Sequence, residues 1–144
     1  GGHADNPEFF ELLQQNDAHV VSDNTGFGTR AADVLICEDG DPLEAIINYY
    51  FEEKPAATRQ MGTQVERMER LLDLVKQYKA DGVVASRLYM CDLWAFEHFL
   101  MRKRLHENNV PFLELEVDYT PEGQGQIKTR VQAFVESLAD RQTA

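Results

Sequence analysis

Two cysteines, Cys37 and Cys91, are the only thiols in the 144 residues. Cys91 follows the apolar run Gly82–Leu88 and precedes Asp92, which reads as the cap of a helix carrying Leu93, Trp94, Phe96, Leu100, Met101 and Leu105. A cysteine at a helix N-terminus meets free backbone N–H groups and the positive end of the helix dipole. That setting favours a thiolate and suits metal or cluster ligation, and Arg87 is close enough in sequence to add positive charge. The plainer alternative is a small, half-buried cysteine with no chemical role. Cys37 closes the apolar stretch Val34–Ile36 and reads as packing. The 54 positions separating the two cysteines match no metal-site spacing. Two thiolates also cannot fill the usual four-cysteine shell of an iron–sulfur cluster, so any cluster here needs ligands from elsewhere.

The remaining constellations are weaker. His98, among Phe96, Phe99 and Leu100, reads as a packing residue. Gly26-Phe27-Gly28 is a lone pair of glycines, not a dinucleotide fingerprint. Gly123-Gln124-Gly125-Gln126 precedes a helix carrying Lys128 and Arg130. Such a helix start can receive an anion, although a flexible turn is the commoner reading. Glu114, Glu116 and Asp118 alternate along a strand and are expected to face solvent or a neighbouring subunit. The basic run Arg102-Lys103-Arg104 with His106 suits a helix C-terminus.

These residues need elements to position them, and the chain alternates helix and strand. Asp5-Asn6-Pro7 starts a helix with Phe9, Phe10, Leu12 and Leu13 on one face. His19–Ser22 reads as a short buried strand, and Asp23–Arg30 as a loop. A helix from Asp41-Pro42 to about Phe51 is expected to bury Leu43, Ile46, Ile47 and Tyr50. Thr63-Gln64-Val65-Glu66 has the capping-box pattern. Its helix sets Val65, Met68, Leu71, Leu72, Val75 and Tyr78 at helical spacing and ends near Gly82. Strands over Gly82–Leu88 and Phe112–Asp118 flank the Asp92 helix, and a last helix carries Ile127, Val131, Phe134, Val135 and Leu138. The expected fold is α/β: an open, mostly parallel, Rossmann-like sheet with helices on both faces. Only three strands are clear, and a loop leads straight into the first helix. The expectation is therefore a fragment of a larger multi-domain subunit, lacking a strand on its N-terminal side. In such sheets ligands bind outside the carboxyl ends of the strands, which singles out residues 1–5, 23–30, 89–92 and 118–125.

Composition sets outer limits. Fourteen basic against twenty-five acidic residues give a net charge of −11, and 43% of residues are hydrophobic. A globular domain fits this, and general nucleic-acid binding does not. No apolar stretch approaches the ~20 residues of a membrane span. Two cysteines make no disulfide framework, and a reducing cytoplasm is the expected setting.

The stretches Asp81-Gly82-Val83-Val84, Met90-Cys91-Asp92-Leu93-Trp94, Val110 to Tyr119 and Gly125-Gln126-Ile127-Lys128-Thr129-Arg130 resemble the family joining 2-hydroxyacyl-CoA dehydratases and benzoyl-CoA reductases. Asp5-Asn6-Pro7, Asp23 and Gly28-Thr29-Arg30 carry the likeness further, over nearly the whole chain. The resemblance implies that residues 1–144 form the C-terminal α/β domain of a longer subunit, with a cluster-ligand loop near 89–92. It implies a 4Fe–4S cluster to which Cys91 supplies one ligand, the others lying outside this sequence. It also implies an acyl-CoA substrate, a homologous second subunit and an ATP-hydrolysing activator that delivers one electron at very low potential. The outcome would be either dehydration of a 2-hydroxyacyl-CoA or reduction of an aromatic ring. Some relatives carry a cysteine near the position of Gly26, where this chain has none. Ser22, Asp23, Arg30, Tyr119 and Gln126 are the candidate pocket residues. The competing reading is a non-catalytic α/β scaffold or interaction domain that has lost its cluster.

Overall fold

A computed structural model describes residues 7–26, 28–31, 34–54, 62–118 and 124–143. Its centre is a strand–helix–strand unit. Strand β1 (Val83–Leu88) leads into α4 (Asp92–Glu107), which returns the chain to β2 (Phe112–Val117). β1 and β2 pair in parallel, with Val83 opposite Phe112 and Leu88 opposite Val117. Alternation along the strands divides the apolar side chains between two faces. On one face Val84, Leu113, Leu115 and Val117 pack against α1 (Pro7–Gln14) and α5 (Gln124–Thr143) through Leu13, Ile127, Val131 and Phe134. On the other, Val83 and Phe112 meet α3 (Gln64–Gln77) and α4 through Leu71, Leu72, Met101 and Leu105. The expected α/β architecture with helices on both faces is present.

Three helices end in the same way. After α1, α3 and α4 a non-glycine residue takes the left-handed conformation: Asp17, Lys79 and Asn109. The next residue then donates its N–H back into the helix: Ala18 to Leu13 O, Ala80 to Val75 O and Val110 to Leu105 O. This is the Schellman arrangement, which satisfies the last helical carbonyls and throws the chain out in extended form. After α3 and α4 the extended chain becomes β1 and β2. After α1 it becomes residues 18–25, which hydrogen-bond as no strand, with Val20 and Val21 about half exposed. The buried strand expected at His19–Ser22 is thus absent among the described residues. The reason is physical: no described strand lies beside it to pair with.

Gly82 is also not the helix stop, since Lys79 serves that purpose. A Cβ at Gly82 would stand 2.8 Å from Phe134 Cζ and 3.2 Å from Pro111 O, so the glycine lets α5 and the β2 entry close onto the sheet.

The middle of the chain departs furthest from expectation. α2 (Pro42–Asn48) starts as the sequence indicates, with Asp41 accepting hydrogen bonds from the Leu43 and Glu44 N–H groups at 2.8 and 3.1 Å. It then widens into a π turn at Tyr49–Glu53. Leu43, Ile46, Ile47 and Tyr50, expected inside, are all exposed, and Tyr49 is buried instead. Cys37, expected to pack, is exposed beside exposed Leu35. Neither segment has a sheet face to lie on. In α3 the capping box is not formed: Thr63 Oγ1 accepts from Arg67 rather than from the helix backbone. Val65 and Tyr78 point outward, and the inner positions go to Met68, Leu71, Leu72, Leu74 and Arg67. None of the helices among the described residues is long and apolar enough to cross a membrane.

Candidate active site at the carboxyl end of the sheet

Beyond Leu88 the chain turns sharply. Met90 takes a left-handed conformation, the Cys91 N–H donates to Leu88 O at 3.2 Å, and Cys91 becomes the N-cap of α4. The cap works through the backbone only: Ala95 N–H donates to Cys91 O at 2.9 Å, while the Sγ makes no capping bond. The half-buried thiol is thus left facing its surroundings beside helix N–H groups that have no carbonyl of their own.

Opposite stands the loop 22–30, built around Asp23. Its carboxylate accepts from Thr25 N–H at 3.0 Å and Thr25 Oγ1 at 2.8 Å, and from Thr29 N–H at 3.2 Å and Thr29 Oγ1 at 2.6 Å. Burial alone would raise the Asp23 pKa, but these bonds outweigh it and hold the carboxyl below its ordinary value. Gly28 makes the clamp possible, because a Cβ there would lie 1.9 Å from Asp23 Oδ1. That glycine, not a dinucleotide motif, is what the pair Gly26 and Gly28 supplies.

Ser22, Asp23, Arg30 and Cys91 converge on one cavity of about 1330 Å³, which Trp94 also lines. Four of the six residues singled out from sequence therefore line one cavity. Tyr119 lies outside the described residues. Gln126 is exposed in the first turn of α5 and away from this wall. In α5, Arg130 donates to Glu114 O at 2.7 Å. Two polar atoms in the first loop, Ser22 Oγ and Asn24 Oδ1, are buried with no hydrogen-bond partner among the described residues. Arg30 is half-buried, with no hydrogen bond or ion pair shown to a partner among the described residues. Burial and the nearby Arg67 and Arg70 depress its pKa while Glu97 raises it, and a guanidinium stays charged regardless. A cation and unpaired polar atoms lining one cavity suit a ligand with both an anionic and a hydrogen-bonding part.

Charged residues that sequence reading passed over support this wall. Arg67 grips Glu97 in a buried two-point pair, Nε to Oε1 at 2.7 Å and Nη2 to Oε2 at 2.9 Å. Both line the cavity. The signal was present in α4: Trp94, His98, Met101 and Leu105 lie at helical spacing and form the inner face, with Glu97 buried beside them. Phe96, Phe99 and Leu93 are exposed. His98 does pack, fully buried between Trp94 and Phe112. Glu114, expected to face solvent or a neighbour, instead receives Arg87 and Arg102, with His98 Nδ1 3.4 Å away. Arg87 also pairs with Glu116 at 2.8 Å, so its charge is directed there rather than to Cys91.

The family model described as 2-hydroxyglutaryl-CoA dehydratase, D-component, matches residues 1–138. The chain belongs to this family. It is 28% identical over 139 residues to the Escherichia coli (strain K12) protein named "Putative dehydratase subunit YjiM", covering 96% of this chain and 35% of that protein. It is 24% identical over 139 residues to the (R)-phenyllactyl-CoA dehydratase beta subunit of Clostridium sporogenes, covering 94% of this chain and 36% of that one. It is 25% identical over 140 residues to the (R)-2-hydroxyglutaryl-CoA dehydratase subunit beta of Acidaminococcus fermentans, covering 92% and 36%. The chain thus spans about a third of the length of the curated relatives it matches.

As a member of this family the chain raises the question of a cluster, and its own side chains answer in part. Cys91 is a free thiol on the cavity wall, whereas Cys37 is exposed and off that wall. No group of three or more His, Cys, Asp or Glu side chains among the described residues could hold a metal ion. These residues fit one ligand position and do not form a shell by themselves.

Proposed function

We propose that this chain is one α/β domain of a longer 2-hydroxyacyl-CoA dehydratase subunit, and that its cavity forms one wall of the acyl-CoA site. The observation that carries the reading is the meeting of Cys91, Ser22 and Arg30 on one cavity at the carboxyl end of the sheet, in a chain matched almost end to end by the family model. The relatives' names favour dehydration over the ring reduction that the sequence left open.

In this reading Arg30 holds an anionic group of the thioester, and Ser22 Oγ and Asn24 Oδ1 take polar atoms of the substrate. Trp94 supplies an apolar surface, and the Asp23 clamp fixes where the loop residues stand. Cys91 supplies one thiolate to a 4Fe–4S cluster whose other ligands come from outside these residues. That group, fed by an ATP-hydrolysing activator, would deliver a low-potential electron to the thioester. A homologous second subunit completes the assembly, in the cytoplasm.

The test is anaerobic. The full-length subunit is co-produced with its partner, assayed for iron and sulfide, and incubated with activator, ATP and either (R)-2-hydroxyacyl-CoA thioesters or benzoyl-CoA. The expected result is dehydration of a 2-hydroxyacyl-CoA, with about four irons per subunit and both lost in Cys91→Ser. Iron-free protein, or turnover unchanged by Cys91→Ser, would overturn the reading.

A further inference from the structure

Three guanidiniums and one carboxylate meet beside the first loop. Arg30 comes from that loop, Arg67 and Arg70 lie one turn apart on α3, and Glu97 stands on α4, the helix that Cys91 caps. They sense one another: Arg67 and Arg70 depress the Arg30 pKa, and Glu97 raises it. Arg30, Arg67 and Glu97 line the large cavity, and Arg70 does not. In a chain of net charge −11, this corner is locally cationic.

The one carboxylate is not shared evenly. Arg67 holds both of its oxygens, Nε to Oε1 at 2.7 Å and Nη2 to Oε2 at 2.9 Å, and gives Nη1 to Thr63 Oγ1. Arg67 is 7% exposed and Glu97 3%. Two parallel N–H···O bonds to an ionised acceptor are the strong form of such a pair. Arg30 lines the same cavity and is less buried, with no hydrogen bond or ion pair shown to a partner among the described residues. A half-buried cation beside two others is costly unless an anion meets it. The protein's own anion lies within its field, and Arg67 withholds it.

We infer that Arg67 is a positioning residue: by holding both oxygens of Glu97, it keeps the Arg30 guanidinium available to the cavity, where an anionic ligand supplies the missing charge. The inference rests on the acyl-CoA reading only for the identity of that anion, a phosphate of the thioester's CoA part. Without Arg67, Glu97 becomes a buried carboxylate with no partner, the state that proteins tolerate least. It then turns to Arg30, the other guanidinium of the cluster on the cavity. Without Glu97, Arg30 loses only a neighbour to which it was not bonded. Each single change breaks the same salt bridge, yet the two act on Arg30 in opposite directions. A pair that served the fold alone would move Arg30 the same way in both.

The test follows Arg30 in the full-length subunit with its partner, through its rate of modification by phenylglyoxal, read peptide by peptide in a mass spectrometer. The reagent attacks the uncharged guanidine, so an ion pair with a carboxylate slows it. In Arg67→Met the Arg30 rate is expected to fall about tenfold or more, the scale of a hydrogen bond between charged groups. In Glu97→Gln it should stay level or rise. In Arg67→Met/Glu97→Leu an apolar pair replaces the buried ions and no carboxylate competes. The rate should then return to within about twofold of the unaltered protein. Arg67→Lys serves if Arg67→Met does not fold: its ammonium still compensates Glu97 but cannot hold both oxygens in a fork, and the Arg30 rate should fall at least about twofold. An Arg30 rate unchanged or raised in Arg67→Met, or in Arg67→Lys where the first variant does not fold, overturns the inference. Slowing in Glu97→Gln, or no recovery in the double variant, also overturns it. Acetyl-CoA gives a separate arm and should slow the Arg30 reaction in the unaltered protein. Absence of that protection overturns the acyl-CoA reading of the cavity, while the order among the variants still decides the role of Arg67.

Discussion

The two loops that form the rim of the site are built on opposite plans. Residues 22–30 are tied by side chains: one carboxylate collects bonds from Thr25 and Thr29, and Gly28 leaves the space for it. Residues 89–92 are tied by backbone alone, and the Cys91 sulfur takes no part in the turn that carries it. The first loop uses its carboxylate on itself and so acts as a frame for Ser22, Asn24 and Arg30. The second keeps its reactive atom uncommitted and so can offer it to something else. A side chain that stabilises its own loop is poorly placed for chemistry, and the difference separates Asp23 from Cys91 although the sequence nominated both.

The sharpest test of that contrast is Cys91→Ser in the full-length subunit with its partner. Because the sulfur holds nothing in the fold, unfolding free energy should change by no more than about 0.5 kcal/mol. Dehydration should nevertheless fall by about a thousandfold or more, the scale of losing an essential group. Chemical denaturation and turnover measured side by side check it. A stability loss matching the activity loss would make Cys91 a structural residue and erase the difference between the loops.

Gly28→Ala should do the reverse. The new methyl has no room beside Asp23 Oδ1, so the clamp must open, at a cost of about 1–3 kcal/mol. Exchange at the Thr25 and Thr29 amides should quicken while β1 and β2 stay protected. Since the loop also carries Arg30, KM for the acyl-CoA should rise more than kcat falls. Unchanged loop exchange would show that the frame does not depend on the carboxylate.

A smaller effect belongs to acid. The Asp23 carboxyl is held below its ordinary value, so the folded state binds its proton later than the unfolded chain does. The stability it contributes is complete above the ordinary value of 3.8 and is lost as pH falls through the lowered one. Loop amide exchange should therefore accelerate only below about pH 4, and Asp23→Asn should abolish that pH dependence while loosening the loop at neutral pH. His98 contributes in the same direction at higher pH. Burial lowers its pKa against the pull of Glu114, so the unfolded chain takes up the proton first. The penalty begins as pH falls below 6.5 and should be absent in His98→Gln. A thermal-melt series across about pH 2–7 separates the two, because only the His98 contribution acts above about pH 5.

How much of this was legible follows the same division. β1, β2, α3 and α4 were readable because the helices alternate with strands and both faces of the sheet are covered, so burial and periodicity agree. The position of Cys91 was readable because it follows from one local feature, the step from strand to helix. The Asp23 clamp was not, since it needs Gly28 to stand against Asp23 in space, and two glycines in a loop have many uses. The Arg67–Glu97 pair was hidden because charged residues at inner positions look like solvated ones until both helices are placed. The His19–Ser22 strand and the inner face of α2 failed for a different reason. Their patterns are correct for burial, but burial requires a partner surface, and none of the described residues provides one.

The smallest expected effect tests whether the second loop's backbone is strained by its geometry. Met90 stands in the left-handed region, with a φ of 61°, where a side chain costs about 1–2 kcal/mol and glycine is free of that cost. Glycine also loses about 0.5–1 kcal/mol through the entropy of the unfolded chain. Met90→Gly should therefore leave stability unchanged or raise it by no more than about 1.5 kcal/mol, with the Cys91 turn intact and turnover unaltered. A fall of 2 kcal/mol or more, well beyond that range, would mean that the exposed Met90 side chain holds the loop after all. The second loop would then resemble the first, with side chains fixing its shape, and the sulfur would be the only part of it left free.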